Sequence, residues 1–327
     1  MRLEHSSSSD EVGRTLAAVV RAILPGASWR RAQELCASGR VTVDGAVATD
    51  PAQRLVAGQR LTVDPEGPRR RPGILPDDAI LYLDRDLVVV RKPAGMLTVA
   101  WEIDDGRPTL AEATRAALQR RDRPAGLRHL PPLGVVSRLD KDTTGVVVFA
   151  RTEEAREQLE RQFEAHSIER RYLAIAHGAP PEGTLESMLV ANRGDGIRGS
   201  LGVFSAHRGP PPPGAQHAVT HLRVLERFAR ASLVECRLET GRQHQIRIHL
   251  AEAGCPVVGE AIYIRDFRGR PIPAPRPMLH AAVLGFSHPR TGRALRLEDP
   301  PPEDFAAMAA QLRAEAPGRE TNGADHR

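Results

Sequence analysis

The stretch GVVSRLDKDTTGVVVFAR, residues 134–151, sets two carboxylates, Asp140 and Asp142, beside the bases Arg138 and Lys141, just ahead of the apolar run Val146 to Ala150. A carboxylate at the mouth of a buried strand loses water. Alone, it is driven towards its neutral form, whereas an arginine partner holds it ionised. An ionised, partly buried aspartate in a cleft is a candidate nucleophile or base. Adjacent side chains point apart, so a partner from a distant segment, such as Arg247, serves as well as Arg138 or Lys141. The same residues also suit a plain turn in which an aspartate bonds its own backbone. Local sequence does not choose between Asp140 and Asp142.

Elements on both sides must hold this turn in place. Thr152 is a helix N-cap, with Glu153 and Glu154 at the positive helix end and Ala155, Leu159 and Phe163 as the apolar stripe. AILYLDRDLVVVRKPAGMLT (79–98) reads as two short strands and a Lys-Pro-Ala-Gly loop, and 108–121 as an amphipathic helix facing inward through Leu110, Ala113 and Ala117. ERRYLAIAHG (169–178) is a strand, and HAVTHLRVLERF with ASLVECRLETG forms an antiparallel pair. GRQHQIRIHLAEAG (241–254) predicts a helix ended by Gly254, with His244, Arg247 and Ala251 on one face. MLHAAVLGFSHP (278–289) returns to strand. The pattern is that of an α+β domain dominated by antiparallel strands.

Ahead of it lies a smaller unit. Residues 1–13 read as a flexible lead, 14–64 as a compact unit, 65–74 as a linker rich in Pro, Gly and Arg, 75–303 as the large domain, and 304–327 as a helix with a polar, fraying tail. Ser28 caps a helix that buries Ala32, Leu35 and Cys36 and ends at Gly39. RVTVDGAVA then predicts a hairpin turning at Asp44-Gly45, and QRLTVD one more strand. Arg30 and Arg31 stand in the first helical turn, where cations oppose the helix dipole; a phosphate bound at the helix start would offset that cost.

The chain has 327 residues, enough for one large and one small domain. Only 4% are aromatic against 41% hydrophobic, so Val, Leu, Ala and Ile must fill the core. A net charge of +5 and a pI near 9.6 suit a polyanionic partner. Of 46 basic side chains only Lys92 and Lys141 are lysines. Cys36, Cys236 and Cys255 are too far apart for a metal motif or a disulfide framework, so a reducing, cytoplasmic setting is expected. No apolar run approaches the roughly 18 residues of a membrane span, and the first residues lack a signal-peptide core, so no membrane partner is expected. Glycine fingerprints for dinucleotides or nucleoside triphosphates and metal-spaced Cys/His pairs are missing. His244 and His249, five residues apart, do not share a helical face and read as active-site wall rather than metal ligands.

The order helix, GRVTVDG, hairpin over roughly residues 14–64 resembles the S4 RNA-binding domain. GVVSRLDKDTTGVVVFAR, LETGRQHQIRIHLAEAGCPVVGEAIY (238–263), DLVVVRKPAGM (86–96), RRYLA (170–174) and MLHAAVLGF (278–286) resemble, in order, the motifs of the RluA family of pseudouridine synthases. The resemblance implies that family's fold: a mixed, mainly antiparallel sheet flanked by helices and loops, with a small α/β S4 domain. It implies Asp140 as nucleophile, Arg247 as the cation paired with it, and Tyr172 beside the uracil as a base late in the reaction. It further implies Arg138 entering the space vacated in the RNA by the target nucleotide, and Leu279 lining the uracil pocket. Lys141, Arg30 and Arg31 are candidate RNA contacts. The family's usual histidine before Arg-Leu-Asp is Ser137 here. The implied reaction breaks the N1–C1′ bond, turns the base and rejoins it through C5. It neither adds atoms nor transfers electrons, so no cofactor is expected. The carboxylate either adds to C1′ or removes a proton at C2′. The expected partner is RNA, ribosomal first and transfer RNA next, met by a monomer; a non-catalytic S4-type RNA-binding protein is the alternative of a different class.

Overall fold

The computed structural model describes residues 2–43, 46–48, 51–55, 57–66, 75–99, 109–121, 133–203, 206–207 and 209–315. The chain divides into two compact units: Met1–Asp77 with Gly95–Leu130, and Asp78–Ala94 with Pro131–Arg327.

The first unit opens with β1 (Leu3–Ser6), paired antiparallel to β4 (Arg60–Val63). The expected flexible lead is therefore a strand at this point, because its alternating pattern completes a small sheet. Two helices follow. In α1 (Leu16–Ile23) Thr15 accepts from the Ala18 N–H; in α2 (Trp29–Ala37) Ser28 accepts from the Arg31 N–H. Gly39 takes φ +68° just past α2, where a left-handed residue closes a helix. Strands β2 (Val41–Val43) and β3 (Ala46–Val47) complete a sheet of order β1-β4-β2-β3. The hairpin is present, but its Asp44-Gly45 turn lies outside the described residues, as do 67–74 of the expected linker and the tail from 316. Leu16, Val20, Leu35, Val41, Leu55 and Leu61 form the core. The same unit holds α3 (Leu110–Arg121), opened by a reciprocal cap: Glu112 Oε2 accepts from the Thr109 N–H at 2.8 Å, and Thr109 Oγ1 from the Glu112 N–H at 3.3 Å.

The second unit is built on one mixed sheet. Its strands are β5 (Ile80–Leu83), β6 (Leu87–Lys92), β7 (Gly134–Val135), β8 (Thr144–Ala150), β9 (Glu169–His177), β10 (Gly183–Val190), β11 (Gly199–Ser200), β12 (Gln216–Arg227), β13 (Ala231–Leu238), β14 (Leu279–Ser287) and β15 (Ala294–Glu298). The main path runs β11-β10-β12-β13-β9-β14-β8-β6-β5, with β15 on β14 and β7 on β8. Among the described residues every pairing is antiparallel except β14 with β8. All seven residues of β8 are buried, which explains its unbroken apolar run. Helix α4 (Glu153–Glu164) is capped by Thr152 as expected, and α6 (Glu303–Ala314) buries Phe305 and Leu312. Helix α5 (Gln245–Glu252) begins later than predicted, and His244 precedes it in the left-handed conformation at φ 60°. The reason is Gln245: its Oε1 accepts from the Arg242 N–H and Thr240 hydroxyl, while its Nε2 donates to the Val219 carbonyl, fixing 240–244 as a turn. No helix among the described residues is long and apolar enough to cross a membrane.

The parallel crossing of β8 and β14 is close. Gly145 sits at φ +118°, and a Cβ there would stand 2.2 Å from the Ala281 carbonyl oxygen. Gly183 has a similar φ, +113°, with nothing within 4 Å. Gly183→Ala thus meets backbone strain alone, about 1 kcal/mol, whereas Gly145→Ala must also force two strands apart, costing about 3 kcal/mol or more. Urea unfolding of both variants checks this; equal losses would refute the steric account.

Candidate active site

The loop from Arg138 to Thr143 feeds β8 and is held from behind by a buried cation. Lys92, at the end of β6, is fully buried, and its Nζ donates to three main-chain carbonyls: Lys141 at 2.6 Å, Thr143 at 2.8 Å and Pro93 at 3.0 Å. All three ammonium hydrogens thus have acceptors. Burial pulls its pKa down to about 7, against the pull of Asp142 and Asp140. Arg276 holds the next carbonyl: its Nη1 donates to Asp142 O at 3.2 Å and to Leu279 O at 3.2 Å, while Nε pairs with Asp304 at 2.6 Å. The Thr143 N–H returns to the Asp140 carbonyl at 3.1 Å, closing the turn. With its backbone fixed on this side, the loop presents Asp140 on the other.

Asp140 lines a cavity of about 460 Å³, and its side chain is 25% exposed. Asp142 and Lys141 do not line it. The two aspartates that local sequence alone left equivalent are separated here, and Lys141 supplies a carbonyl to the loop scaffold. Tyr172 on β9, Leu279 on β14, Arg138, Ser137 and Arg247 share the cavity with Asp140. Arg138 is exposed, and Leu279 is buried. Burial pushes the Tyr172 phenol up to about 12, partly opposed by Arg170.

Arg247 does meet Asp140, with Nη1 at 3.3 Å from Oδ2, but this is not its main bond. Its Nε and Nη2 donate to the two oxygens of Glu260, each at 2.7 Å. The Glu260 side chain is fully buried, and its Oε1 also accepts from the backbone N–H groups of Ala261, Ile262 and Tyr263. Burial would raise the Glu260 carboxyl; the bonds and charge of Arg247 outweigh it and hold the group below its ordinary range. The expected simple pair is thus a shared guanidinium: Glu260 fixes it in two directions, and one of its remaining N–H groups reaches Asp140. Glu260 was missed because its motif shows an acid in a loop but not the buried arginine it must neutralise. His244 adds a further neighbour, its Nε2 3.8 Å from Asp140 Oδ1 and its Nδ1 2.7 Å from the Tyr263 hydroxyl.

His244 lines the cavity as expected; His249 does not, being held between Thr220 and Ser187 hydroxyls. Among the described residues, one group has metal-ligand spacing, Asp84, Asp86 and His288, and none of the three lines the cavity. Its atoms hold one another: Asp84 accepts from the Asp86 and Leu87 N–H groups and contacts His288 Nε2 at 2.7 Å. Arg30 and Arg31 lie on α2 in the other unit. Arg31 is engaged with Glu34 and the Pro65 carbonyl.

Comparison with known proteins identifies the family. The RNA pseudouridylate synthase family matches residues 86–252, and the S4 domain matches 14–61. The chain is 33% identical to ribosomal large subunit pseudouridine synthase D of Zymomonas mobilis, over 93% of this chain and 96% of that one. It is 34% identical to the protein of the same name from Pseudomonas aeruginosa, over 92% of each. It is also 34% identical to the uncharacterized RNA pseudouridine synthase YlyB of Bacillus subtilis, over 87% of this chain and 90% of that one. A solved structure, human RNA pseudouridylate synthase domain containing 4, shares the fold with a TM-score of 0.55 at 24% identity, over 74% of this chain and 95% of that one.

Glu260→Gln leaves Arg247 buried without its full counter-charge. We expect a loss of about 3 kcal/mol at pH 7 by urea unfolding. Glu260 contributes its stability above the ordinary carboxyl value of 4.5 and gives it up as pH falls through its lower folded value. The gap between wild type and variant should therefore narrow below pH 4.5; a gap constant with pH would refute the ionised pair.

Proposed function

The chain belongs to the RNA pseudouridylate synthase family and converts uridine to pseudouridine in RNA, and we propose that Asp140 is its nucleophile and large-subunit ribosomal RNA its substrate. The observation that carries the assignment is the position of Asp140: its carboxylate enters the cavity beside Tyr172 and Leu279, contacted by an arginine whose stronger bonds go elsewhere. A carboxylate locked in a bidentate pair would have both oxygens engaged. Here one N–H orients Asp140 and supports its charge, and the group stays open to a ribose. The sugar centre reacts at this carboxylate, by addition at C1′ or deprotonation at C2′. The freed uracil then turns between Tyr172 and Leu279 before C5 bonds to C1′. A phenol raised as Tyr172 is enters the reaction neutral; it can give its proton to N1 of the detached uracil and, as phenolate, take the C5 proton once C5 has bonded to C1′. Arg138 takes the place of the extruded nucleotide. The ribosomal target is supported by the names of the Zymomonas and Pseudomonas relatives. The S4 unit adds grip on the phosphate backbone through its arginines.

Carbodiimide treatment with primer extension, applied to total RNA from cells with the wild-type protein, with none, and with Asp140→Asn, tests both parts. One large-subunit site should vanish in the last two samples, turnover falling at least about a hundredfold, while Asp142→Asn loses less than about tenfold. A site lost from transfer RNA instead would correct the substrate; an unchanged site with Asp140→Asn would refute the nucleophile. On the S4 unit, Arg30→Ala should weaken RNA binding and flatten the log Kd against log salt slope by about one. An unchanged slope in filter binding would take Arg30 out of the phosphate contacts.

A further inference from the structure

Among the described residues four arginines are buried: Arg170, Arg193, Arg247 and Arg276. Three are neutralised by carboxylates. Arg193 pairs with Asp195 and Asp266, Arg247 with Glu260 and Asp140, and Arg276 with Asp304. Arg170 is 8% exposed and has no carboxylate within ion-pair distance. One of its nitrogens donates to the Glu239 carbonyl; its Nε is buried with no hydrogen-bond partner. Its guanidinium lies 5.5 Å from the centre of the Phe163 ring. Burial lowers its pKa, and the cation Arg242 lowers it further, against an opposing influence of Tyr172. A buried cation without a counter-charge is costly, and a protein tolerates it where a ligand supplies the charge.

The position of Arg170 says which ligand. It lines the same cavity as Asp140, two residues before Tyr172 on β9, so both side chains project from one face of the strand. Arg242 and Arg138 line that cavity as well. The glycine at 241 leaves the room this requires, since a Cβ there would stand 2.5 Å from Arg170 Nη1. Glu164 also lines the cavity but forms no ion pair with Arg170.

We propose that Arg170 is the anchor for a phosphodiester flanking the target uridine, so that the cavity grips a nucleotide at both ends: base at Tyr172 and Leu279, phosphate at Arg170. The inference rests on the catalytic reading of this cavity and adds a subsite to it. The guanidinium then receives the charge that the folded chain withholds, with Nη1, the nitrogen beside Gly241, as the donor.

The test uses the full-length protein and an RNA hairpin carrying the mapped uridine, synthesised with an uncharged methylphosphonate at one linkage at a time. Turnover of the unmodified hairpin checks the catalytic reading separately. With wild type, one of the two linkages flanking the target should raise KM by about tenfold to a hundredfold, with kcat little changed. Arg170→Gln should show a similar rise on the unmodified hairpin and no further rise at that linkage; Arg170→Lys should fall between. A flat linkage scan with wild type overturns the anchor, and needs no variant that folds. So does an Arg170→Gln enzyme that still discriminates the linkage as wild type does, which would leave Arg170 a clamp on the Glu239 turn. If the unmodified hairpin is bound but not turned over, the catalytic reading falls; the same linkage dependence in Kd would still support the anchor, and its absence would overturn it.

Discussion

The site depends on one buried ammonium. Among the described residues Lys92 forms no ion pair; it is solvated by three main-chain carbonyls, two of them from the loop that carries Asp140. Such a cage suits a compact charge with three rotatable donors. A planar guanidinium, which the chain uses almost everywhere else, would not fit it. Carbonyls held by Lys92 and Arg276 cannot rotate toward water, and the side chains between them take fixed directions. Asp140 enters the cavity and Asp142 does not because their peptide groups are fastened in this way.

The second constraint is the order of bonds around Arg247. Glu260, buried and bonded to three backbone N–H groups, fixes the guanidinium before Asp140 is considered. One cation is thus shared between two carboxylates. This sharing also makes Arg247 a support of position as much as of charge, since a single N–H reaches Asp140 Oδ2 while Oδ1 faces the His244 ring at 3.8 Å.

Much of this was legible in the residues. The caps Ser28 and Thr152, the buried run of β8, the antiparallel β12–β13 pair and the Arg247–Asp140 meeting all follow from local chemistry or from motif order. What was not legible involves partners far apart in sequence. Glu260 looks like any loop acid until Arg247 is known to be buried. The start of α5 depends on where the Gln245 side chain goes, which propensity does not report. Strand β1 lies in a serine-rich lead whose alternation is too short to weigh without β4 beside it. Local chemistry could not separate Asp140 from Asp142, which motif resemblance did, because the choice between them is made by carbonyl acceptors, and sequence lists side chains.

The parallel pairing of β8 with β14 also has a meaning in time. His280 lies opposite Thr144 across it, and Arg276, just before β14, ties down Asp142. A ribosome that has released residue 150 has therefore made a strand with every residue destined for burial and one neighbour still more than a hundred residues from synthesis. Until β14 emerges, that edge is open, and antiparallel hairpins made of nearer segments can form without it. Completion of the reactive loop is thus a late event in the birth of the chain, coupled to its last strands, and a truncated product carries the aspartate without the scaffold that aims it.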